Sequence, residues 1–308
     1  MGAGHDHGHS HASGRAEDRK RLLFVLALTS TVVVVEAIGA WISGSLALLA
    51  DAGHMLTDAA GIVIALSASL IAARPASPQR TFGYHRVEIL AAVLNALVLL
   101  GLCGYLAYAG ARRLVDPVDV DAGQLLVFAV IGLVANLVSV ALLTRRKDSS
   151  LNMRGAYLEV LSDAFGSVAA IVAGILVLTT DFLRADSIAS LVIAVLVLPR
   201  AWALLREALG VLLEATPAGL DIEDVRRHLC GVDGVVDVHD LHAWTITSGM
   251  PALSAHVTVT DEALAGRGVG CILDDLTECV HEHFGIDHPT FQVEPVSHRD
   301  HEPDTEHA

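Results

Sequence analysis

The chain has 308 residues, of which 53% are hydrophobic and 18% are charged, and its mean hydropathy is +0.54. This balance is typical of membrane proteins and excludes an ordinary soluble globule. The net charge of −15 falls on the last third, because residues 210–308 hold 19 acidic and 4 basic side chains whereas residues 1–209 hold 16 of each. Such an acidic part argues against a nucleic acid partner and is compatible with cations.

The first residues, MGAGHDHGHSHASG, form a low-complexity tract rich in His and Gly. Because this tract has no apolar content to bury, residues 1–20 are predicted to be a disordered tail. Two interpretations of the tail are open. The histidines capture metal weakly near a membrane pore, or the tail only keeps the chain soluble.

Six apolar segments follow, each near the roughly 20 residues that a helix needs to cross the hydrocarbon of a bilayer. They are predicted at about 22–41, 46–73, 87–114, 125–143, 156–178 and 188–205. The flanking stretches hold 11 Lys and Arg on one side and 3 on the other. The positive-inside rule then places both termini in the cytoplasm. We predict a six-helix, multi-pass domain over residues 21–210 in the cell (inner) membrane.

After Thr216-Pro217 the pattern changes to that of a small soluble domain. Helices are predicted at 221–229 and 269–284, and strands at 235–246, 252–260 and 289–294. The order α-β-β-α-β is that of an open α+β sandwich over residues 211–296. Residues 297–308 are predicted to be a second disordered tail. The four cysteines form no CxxC pair, so we expect them to be reduced and structural.

Two pairs of polar side chains interrupt the apolar segments. His54 and Asp58 lie one helical turn apart in the second segment, and Glu159 and Asp163 have the same spacing in the fifth. Each pair therefore shares a helix face. A charge at bilayer depth costs several kcal/mol unless it meets a partner, a cavity or an ion. Two facing pairs would supply four ligands for a divalent metal such as Zn²⁺, which accepts nitrogen and oxygen ligands in a tetrahedron.

The competing interpretation is that these acids pair with basic groups inside the bundle. It is disfavoured because no Lys or Arg lies well inside a predicted segment; those nearest are close to segment ends, at Arg112, Arg113 and Arg200. Asp51 either attracts cations to a mouth of the pathway or caps or hydrogen-bonds a neighbouring element, and both interpretations stay open. Asp186 is a candidate access-path group.

These motifs resemble the cation diffusion facilitator family, the zinc-type metal/proton antiporters. The matching stretches are ADAGHMLTDAAGI, FGYHRVEILAA, LEVLSDAFGSVAAI, VHDLHAWTITSG and LSAHVTV. The resemblance implies six membrane helices, a cytoplasmic ferredoxin-like domain and a homodimer. It implies export of Zn²⁺, and in some members Cd²⁺ or Co²⁺, from the cytoplasm in exchange for protons, and no enzymatic activity.

One departure from the family concerns Glu159, because zinc-selective members often have His at that position. With all carboxylates ionised, the four ligands carry −3 rather than −2. Oxygen ligands are harder than nitrogen ligands, so Co²⁺, Cd²⁺ and Mn²⁺ become more admissible. Zinc remains the first expectation.

The resemblance also implies a second metal site in the soluble domain. His239, His256 and Glu294 match positions where family members bind zinc between domains or subunits. Gln292 stands where some members have another His, which disfavours a binuclear site. The alternative is that these strand histidines only hydrogen-bond within the sheet.

Other function classes make different demands on the sequence. An intramembrane metalloprotease needs a helical HExxH, which the chain lacks. A membrane metal sensor would keep the soluble site but needs no intramembrane ligands. A passive divalent channel would keep intramembrane acids but show no proton coupling.

Overall fold

The computed structural model describes the backbone of residues 8–144 and 151–299, and the side chains of 23–144, 154 and 156–299. Residues 1–7, 145–150 and 300–308, with the parts of the two predicted tails that they contain, lie outside this description. The chain divides into two compact units, one made of Met1–Ile64 with Leu94–Leu204 and the other of Ala65–Val93 with Leu205–Ala308.

Six helices are long and apolar enough to cross a membrane. They are α1 Gly8–Ser43, α2 Leu46–Ala72, α3 Arg86–Val115, α4 Ala122–Thr144, α5 Leu151–Thr180 and α6 Arg184–Leu212. The six predicted segments are thereby confirmed. Their mean hydropathies of 1.9 to 2.7 over the most apolar windows leave little alternative to a membrane environment.

Small side chains form the main helix contact of the first unit. Ala47 of α2, Ala129 of α4 and Ala170 of α5 are each fully buried in one cluster. Small residues let helix backbones approach closely, which is how membrane helices gain packing energy. Large apolar side chains such as Val134 and Leu137 point outward instead, where lipid would cover them.

Helices α1 and α6 exceed their predicted bounds by the most residues. Helix α1 begins at Gly8, so residues 8–20, predicted to be disordered, are helical. The stretch Arg15–Arg21 is composed largely of good helix formers, which extend the membrane helix backwards. Helix α6 continues beyond the predicted end at about residue 205 to Leu212, because its amphipathic last turns lack the uniform apolarity by which the segment was delimited.

The second unit contains a three-stranded sheet with helices of its own. Its elements are α7 Ile222–Leu229, β1 Val235–Thr247, β2 Met250–Val259, α8 Asp261–Phe284, β3 His288–Pro295 and α9 Val296–Arg299. The strand order is β1-β2-β3, with β1 and β2 antiparallel and β2 and β3 parallel. This confirms the predicted α-β-β-α-β order. The short α9 falls in the stretch predicted to be a disordered tail.

Helix α8 starts eight residues before its predicted beginning. The Thr260 hydroxyl accepts a hydrogen bond from the Ala263 amide at 3.2 Å and so caps the helix, which is kinked at Gly268. The helix ends at Gly285, whose φ of 64° is left-handed and favours glycine. Val257 of β2 and Leu276 of α8 are fully buried in the core between sheet and helices.

All four cysteines are free, as the sequence predicts. In the C-terminal α+β domain that holds the sheet, burial raises the pKa of the Cys230 and Cys279 thiols. The reactive thiolate is therefore disfavoured at both positions, which agrees with a structural role.

Candidate metal centres

The imidazole of His54 and the carboxylate of Asp163 meet inside the helix bundle. His54 Nε2 of α2 lies 3.0 Å from Asp163 Oδ1 of α5, and the two residues are 5% and 2% exposed. The contact joins groups that are 109 residues apart in the sequence. Helical periodicity alone aims both groups at a common partner, and the structure places them in direct contact.

The other two predicted ligands form a second pair on the same two helices. Asp58 lies one turn after His54 on α2, and Glu159 lies one turn before Asp163 on α5. Both residues are partly buried, and the Asp58 side chain is 11% exposed. Among the described residues, these four do not form a group whose ligand atoms all lie within 4.8 Å of one another. The four groups are thus two residues on each of two helices that meet at His54 and Asp163.

Arg200 reaches this pair from α6, which the sequence did not predict. Its Nη1 atom donates a hydrogen bond to Asp58 Oδ2 at 3.3 Å. The sequence argument placed Arg200 near a helix end, but α6 extends to Leu212 and puts the residue near the helix middle. The expectation that Arg200 lies near the end of its segment was therefore wrong, although its side chain stays 57% exposed. The signal in the sequence was the charge of Arg200 itself, about four turns after the start of α6.

A second group of buried acids lies beside the His54–Asp163 contact. Asp51 Oδ1 is 3.8 Å from His54 Nδ1, and Asp51 Oδ2 is 3.2 Å from the Ser167 hydroxyl. Asn136 Nδ2 of α4 donates to that hydroxyl at 3.4 Å. Asp51 therefore belongs to a hydrogen-bonded network, one of the two interpretations left open. Glu36 of α1 is fully buried beside it, and neither of its carboxylate oxygens has a hydrogen-bond partner within the described part of the chain.

Asp186 has a structural position rather than one on an access path. Its carboxylate accepts hydrogen bonds from the Ser45 hydroxyl at 2.5 Å and from the backbone amides of Leu46 and Ala47 at 2.7 and 3.2 Å. These amides open α2, so a residue at the start of α6 caps the helix that bears His54 and Asp58. A carboxylate also interacts favourably with the positive end of the helix dipole.

The soluble unit brings its three predicted ligands together. Ligand atoms of His239, His256 and Glu294 all lie within 4.8 Å of one another. His239 on β1 and His256 on β2 are cross-strand partners, and His239 Nε2 is 3.3 Å from Glu294 Oε1. Glu294 on β3 is 2% exposed. Sheet register therefore positions two nitrogen donors and one oxygen donor around one point, a combination suited to Zn²⁺.

The surroundings of Glu294 also give it partners from the protein. Thr258 Oγ1 donates to Glu294 Oε1 at 3.3 Å, and Gln292 Nε2 donates to Glu294 Oε2 at 3.4 Å. Donors that hydrogen-bond to a ligating carboxylate fix its orientation. They also keep the alternative open in which the cluster only stabilises the sheet.

Two family models cover nearly the whole chain. The cation efflux transmembrane domain matches residues 22–213, and the cation efflux protein cytoplasmic domain matches residues 217–296. The chain belongs to the cation efflux family. This confirms the resemblance to cation diffusion facilitators, and it makes this cation efflux protein a membrane transporter rather than an enzyme.

Curated relatives match along nearly their full length. The metal cation efflux system protein CzcD of Cupriavidus metallidurans is 43% identical over 294 residues, covering 96% of this chain and 90% of the relative. The cadmium, cobalt and zinc/H(+)-K(+) antiporter of Bacillus subtilis is 39% identical and the zinc transporter ZitB of Escherichia coli is 38% identical, each over 96% of this chain and 93% of the relative.

A solved structure, the metal-bound C-terminal domain of the C. metallidurans CzcD transporter, is 32% identical to the matched part of this chain. The match covers 24% of this chain and 99% of that domain, with a TM-score of 0.22.

Proposed function

We propose that this cation efflux protein exports Zn²⁺, and to a lesser extent Cd²⁺ and Co²⁺, from the cytoplasm in exchange for protons. The transported ion binds at His54, Asp58, Glu159 and Asp163. The observation that carries the proposal is the contact between His54 of α2 and Asp163 of α5 at 3.0 Å inside the bundle, with Asp58 and Glu159 one helical turn away on the same two helices. Relatives named as zinc transporter and as cadmium, cobalt and zinc antiporter support the choice of ions.

The ligand chemistry explains why metal and protons would compete. Histidine and carboxylates bind metal in their deprotonated forms, so metal entry releases protons and protons arriving from outside displace the metal. Histidine is the side chain that ordinarily changes charge between pH 5 and 8, which makes His54 the natural proton carrier of the set. Alternate opening of the helix pairs to the two sides completes the exchange.

Metal choice depends on the hard ligand Glu159. Three carboxylates and one imidazole are less selective for Zn²⁺ than two of each, so Co²⁺ and Cd²⁺ should also be transported. Initial rates for Zn²⁺, Co²⁺, Cd²⁺ and Mn²⁺ at equal concentrations check the order. A larger flux of Mn²⁺ than of Zn²⁺ would contradict zinc as the main substrate.

The soluble domain would bind a regulatory zinc ion. His239, His256 and Glu294 provide the ligands, and zinc binding there would draw two cytoplasmic domains together in a homodimer. The positive-inside charge pattern and the bacterial relatives support an inner-membrane protein with both termini in the cytoplasm. On the same basis we assign residues 21–210 to the membrane domain and 211–296 to the cytoplasmic domain.

Inside-out vesicles that carry the purified protein give the direct test. Zinc uptake is measured with and without an imposed pH gradient, for the native protein and for Asp163→Ala. Asp116→Ala is the matched control, because Asp116 is an exposed acid in the loop between α3 and α4. We expect gradient-dependent uptake in the native and control proteins and none in Asp163→Ala.

The alternative classes give different results in the same vesicles. Zinc movement that is indifferent to the gradient indicates a channel. A native protein that binds zinc but moves none indicates a sensor. Full uptake by Asp163→Ala would overturn the assignment of the intramembrane ligands.

A further inference from the structure

Beside the four proposed ligands lies a positively charged side chain of the protein itself. Arg200 Nη1 of α6 donates to Asp58 Oδ2 of α2 at 3.3 Å. The Asp58 side chain is 11% exposed and that of Arg200 is 57% exposed, so the carboxylate is the enclosed partner and the guanidinium enters from the rim. An arginine remains protonated at any pH relevant to a cell, so its charge is permanent.

The charge of Arg200 acts on the side of the site that departs from the zinc-selective pattern. Successive membrane spans alternate in direction, so Asp58, one turn after His54 on α2, and Glu159, one turn before Asp163 on α5, lie on the same side of the His54–Asp163 contact. Arg200 binds Asp58 on that side. The positive group therefore lies on the side of the site that holds the acid in place of the usual histidine.

The position of Arg200 affects the net charge around the bound metal. In the metal-bound state all ligands are deprotonated, so Asp58, Glu159 and Asp163 contribute −3, whereas a site with His in place of Glu159 contributes −2. Arg200 restores −2. A dication held by one surplus negative charge in a low dielectric is bound more tightly and released more slowly.

We propose that Arg200 is the counter-charge that makes Glu159 workable in the transport site. It offsets the additional carboxylate and so sets the metal affinity at a level from which the ion can leave. Arg200 acts through Asp58, which it contacts, and is therefore a positioning residue rather than a metal ligand. The inference rests on the proposed transport function.

Arg200 lies next to a proline inside helix α6. Pro199 immediately precedes Arg200 inside the helix. Proline has no backbone N–H and removes one intrahelical hydrogen bond, which loosens the helix locally. Arg200 therefore directly follows a position at which α6 lacks one backbone hydrogen bond.

Four proteins reconstituted in vesicles test the inference: native, Arg200→Gln, Glu159→His and the double variant. Without the charge of the metal, the deprotonated ligands and residue 200 together carry −2 in the native protein and −3 in Arg200→Gln. The same sum is −1 in Glu159→His and −2 in the double variant. We expect the KM for Zn²⁺ to fall roughly tenfold or more in Arg200→Gln, with a lower kcat because release slows. We expect KM to rise in Glu159→His, and both constants to return towards native values in the double variant.

Two further variants control for loss of the side chain itself. Arg200→Lys keeps the charge and should stay near native. Arg206→Gln removes an exposed arginine six residues further along α6 and should transport as the native protein does. If Arg200→Gln alone fails to fold, the double variant is expected to fold, because its charge balance is restored; failure of both overturns the inference.

The zinc KM of Arg200→Gln and the transport by the double variant decide against the inference in the following cases. A raised or unchanged KM in Arg200→Gln, or lost transport that Glu159→His does not restore, would mean that Arg200 only packs the bundle. This outcome is separable from failure of the proposed function, since Asp163→Ala would still abolish native transport. If native protein moves no zinc, or Asp163→Ala moves it normally, the transport proposal itself has failed.

Discussion

His54 Nε2 on α2 contacts Asp163 Oδ1 on α5 at 3.0 Å, and this contact makes one unit of the two helices that supply the proposed ligands. Both groups are almost fully buried. A change in the charge of either one is therefore felt directly by the other, because little water screens them. In the proposed transport cycle, this pair would couple movement of the two helices to the charge of the site.

We expect His54→Ala to weaken the dependence of zinc transport on the pH gradient, because the variant loses the ligand that most readily exchanges protons for metal. Zinc uptake into inside-out vesicles at a series of imposed gradients measures this. His281→Ala, which changes an exposed histidine of the soluble unit, is the control. A His54→Ala protein with the native pH dependence would refute the assignment of a proton-carrying role.

Two glycines make room for the buried acids, and enlarging either should destabilise the protein. A Cβ atom at Gly132 of α4 would overlap Oε1 of Glu36, and one at Gly166 of α5 would overlap Oδ1 of Asp51. Overpacking of this kind costs about 1–3 kcal/mol. We expect Gly132→Ala and Gly166→Ala each to lower the melting temperature of the protein in detergent.

The matched controls for these variants lie on α3. A Cβ at Gly101 or Gly104 would meet no atom within 4 Å. Alanine there also favours the helix by about 1 kcal/mol over glycine. We expect Gly101→Ala and Gly104→Ala to be neutral or stabilising, and equal melting temperatures for all four variants would show that the acids are not closely packed against α4 and α5.

Replacing Glu36 by glutamine should leave stability unchanged or increase it. Glu36 is fully buried, and the charged groups that act on it are the acids Asp51 and Asp163. An isolated buried carboxylate is costly, whereas an amide is neutral and adds a donor. Thermal unfolding of Glu36→Gln in detergent checks this, and a marked loss of stability would mean that the Glu36 carboxylate has a favourable partner.

Zinc should stabilise the soluble unit through the three-ligand cluster. We expect the zinc-induced rise in melting temperature of full-length protein to be smaller in His239→Ala than in the native protein, because binding to the folded state alone raises stability and the variant keeps only the proposed transport site. His242→Ala is the control, since His242 is half exposed on the same strand and pairs with Asp240. Equal zinc responses in both variants would indicate that the cluster serves only the sheet.

Loss of the Asp186 carboxylate should uncap α2. Asp186 accepts hydrogen bonds from two opening amides of that helix and from Ser45. Removing a cap costs about 0.5–2 kcal/mol, and the buried amides left without an acceptor add to this. We expect the melting temperature of Asp186→Ala to lie well below that of the native protein, and that of Asp116→Ala to equal the native value. Coincident thermal unfolding curves for Asp186→Ala and Asp116→Ala would contradict the capping role.

The number of membrane helices and the order of helices and strands along the chain could be predicted from the sequence, as could the one-turn spacing of the polar pairs, because each depends on local periodicity. Apolar runs of membrane length, alternation in strands and the one-turn spacing of His54 with Asp58 need no tertiary information. The contact of Arg200 with Asp58 could not be predicted in this way. It depends on α6 continuing past its apolar run, and on the packing of a helix that lies 142 residues away in sequence.

The same limit explains Asp186. Its hydrogen-bond partners at the start of α2 are about 140 residues away, and no local pattern distinguishes an acid that caps another helix from one that lines a pathway. Residue type marked both Asp186 and Arg200 as unusual in an apolar segment. Only the packed structure shows that one completes a helix end and the other faces a ligand.

Helix α6 is fastened to α2 near both ends of the ligand-bearing segment. Asp186 holds the first turn of α2, and Arg200 holds Asp58, with about 20 Å of helix between the two attachments. Helices joined at two such separated points cannot swivel independently. If α2 tilts to release an ion in the proposed transport cycle, α6 should tilt with it as one rigid body. A cross-link that fixes α6 in place would then stop transport, although it contacts no metal ligand.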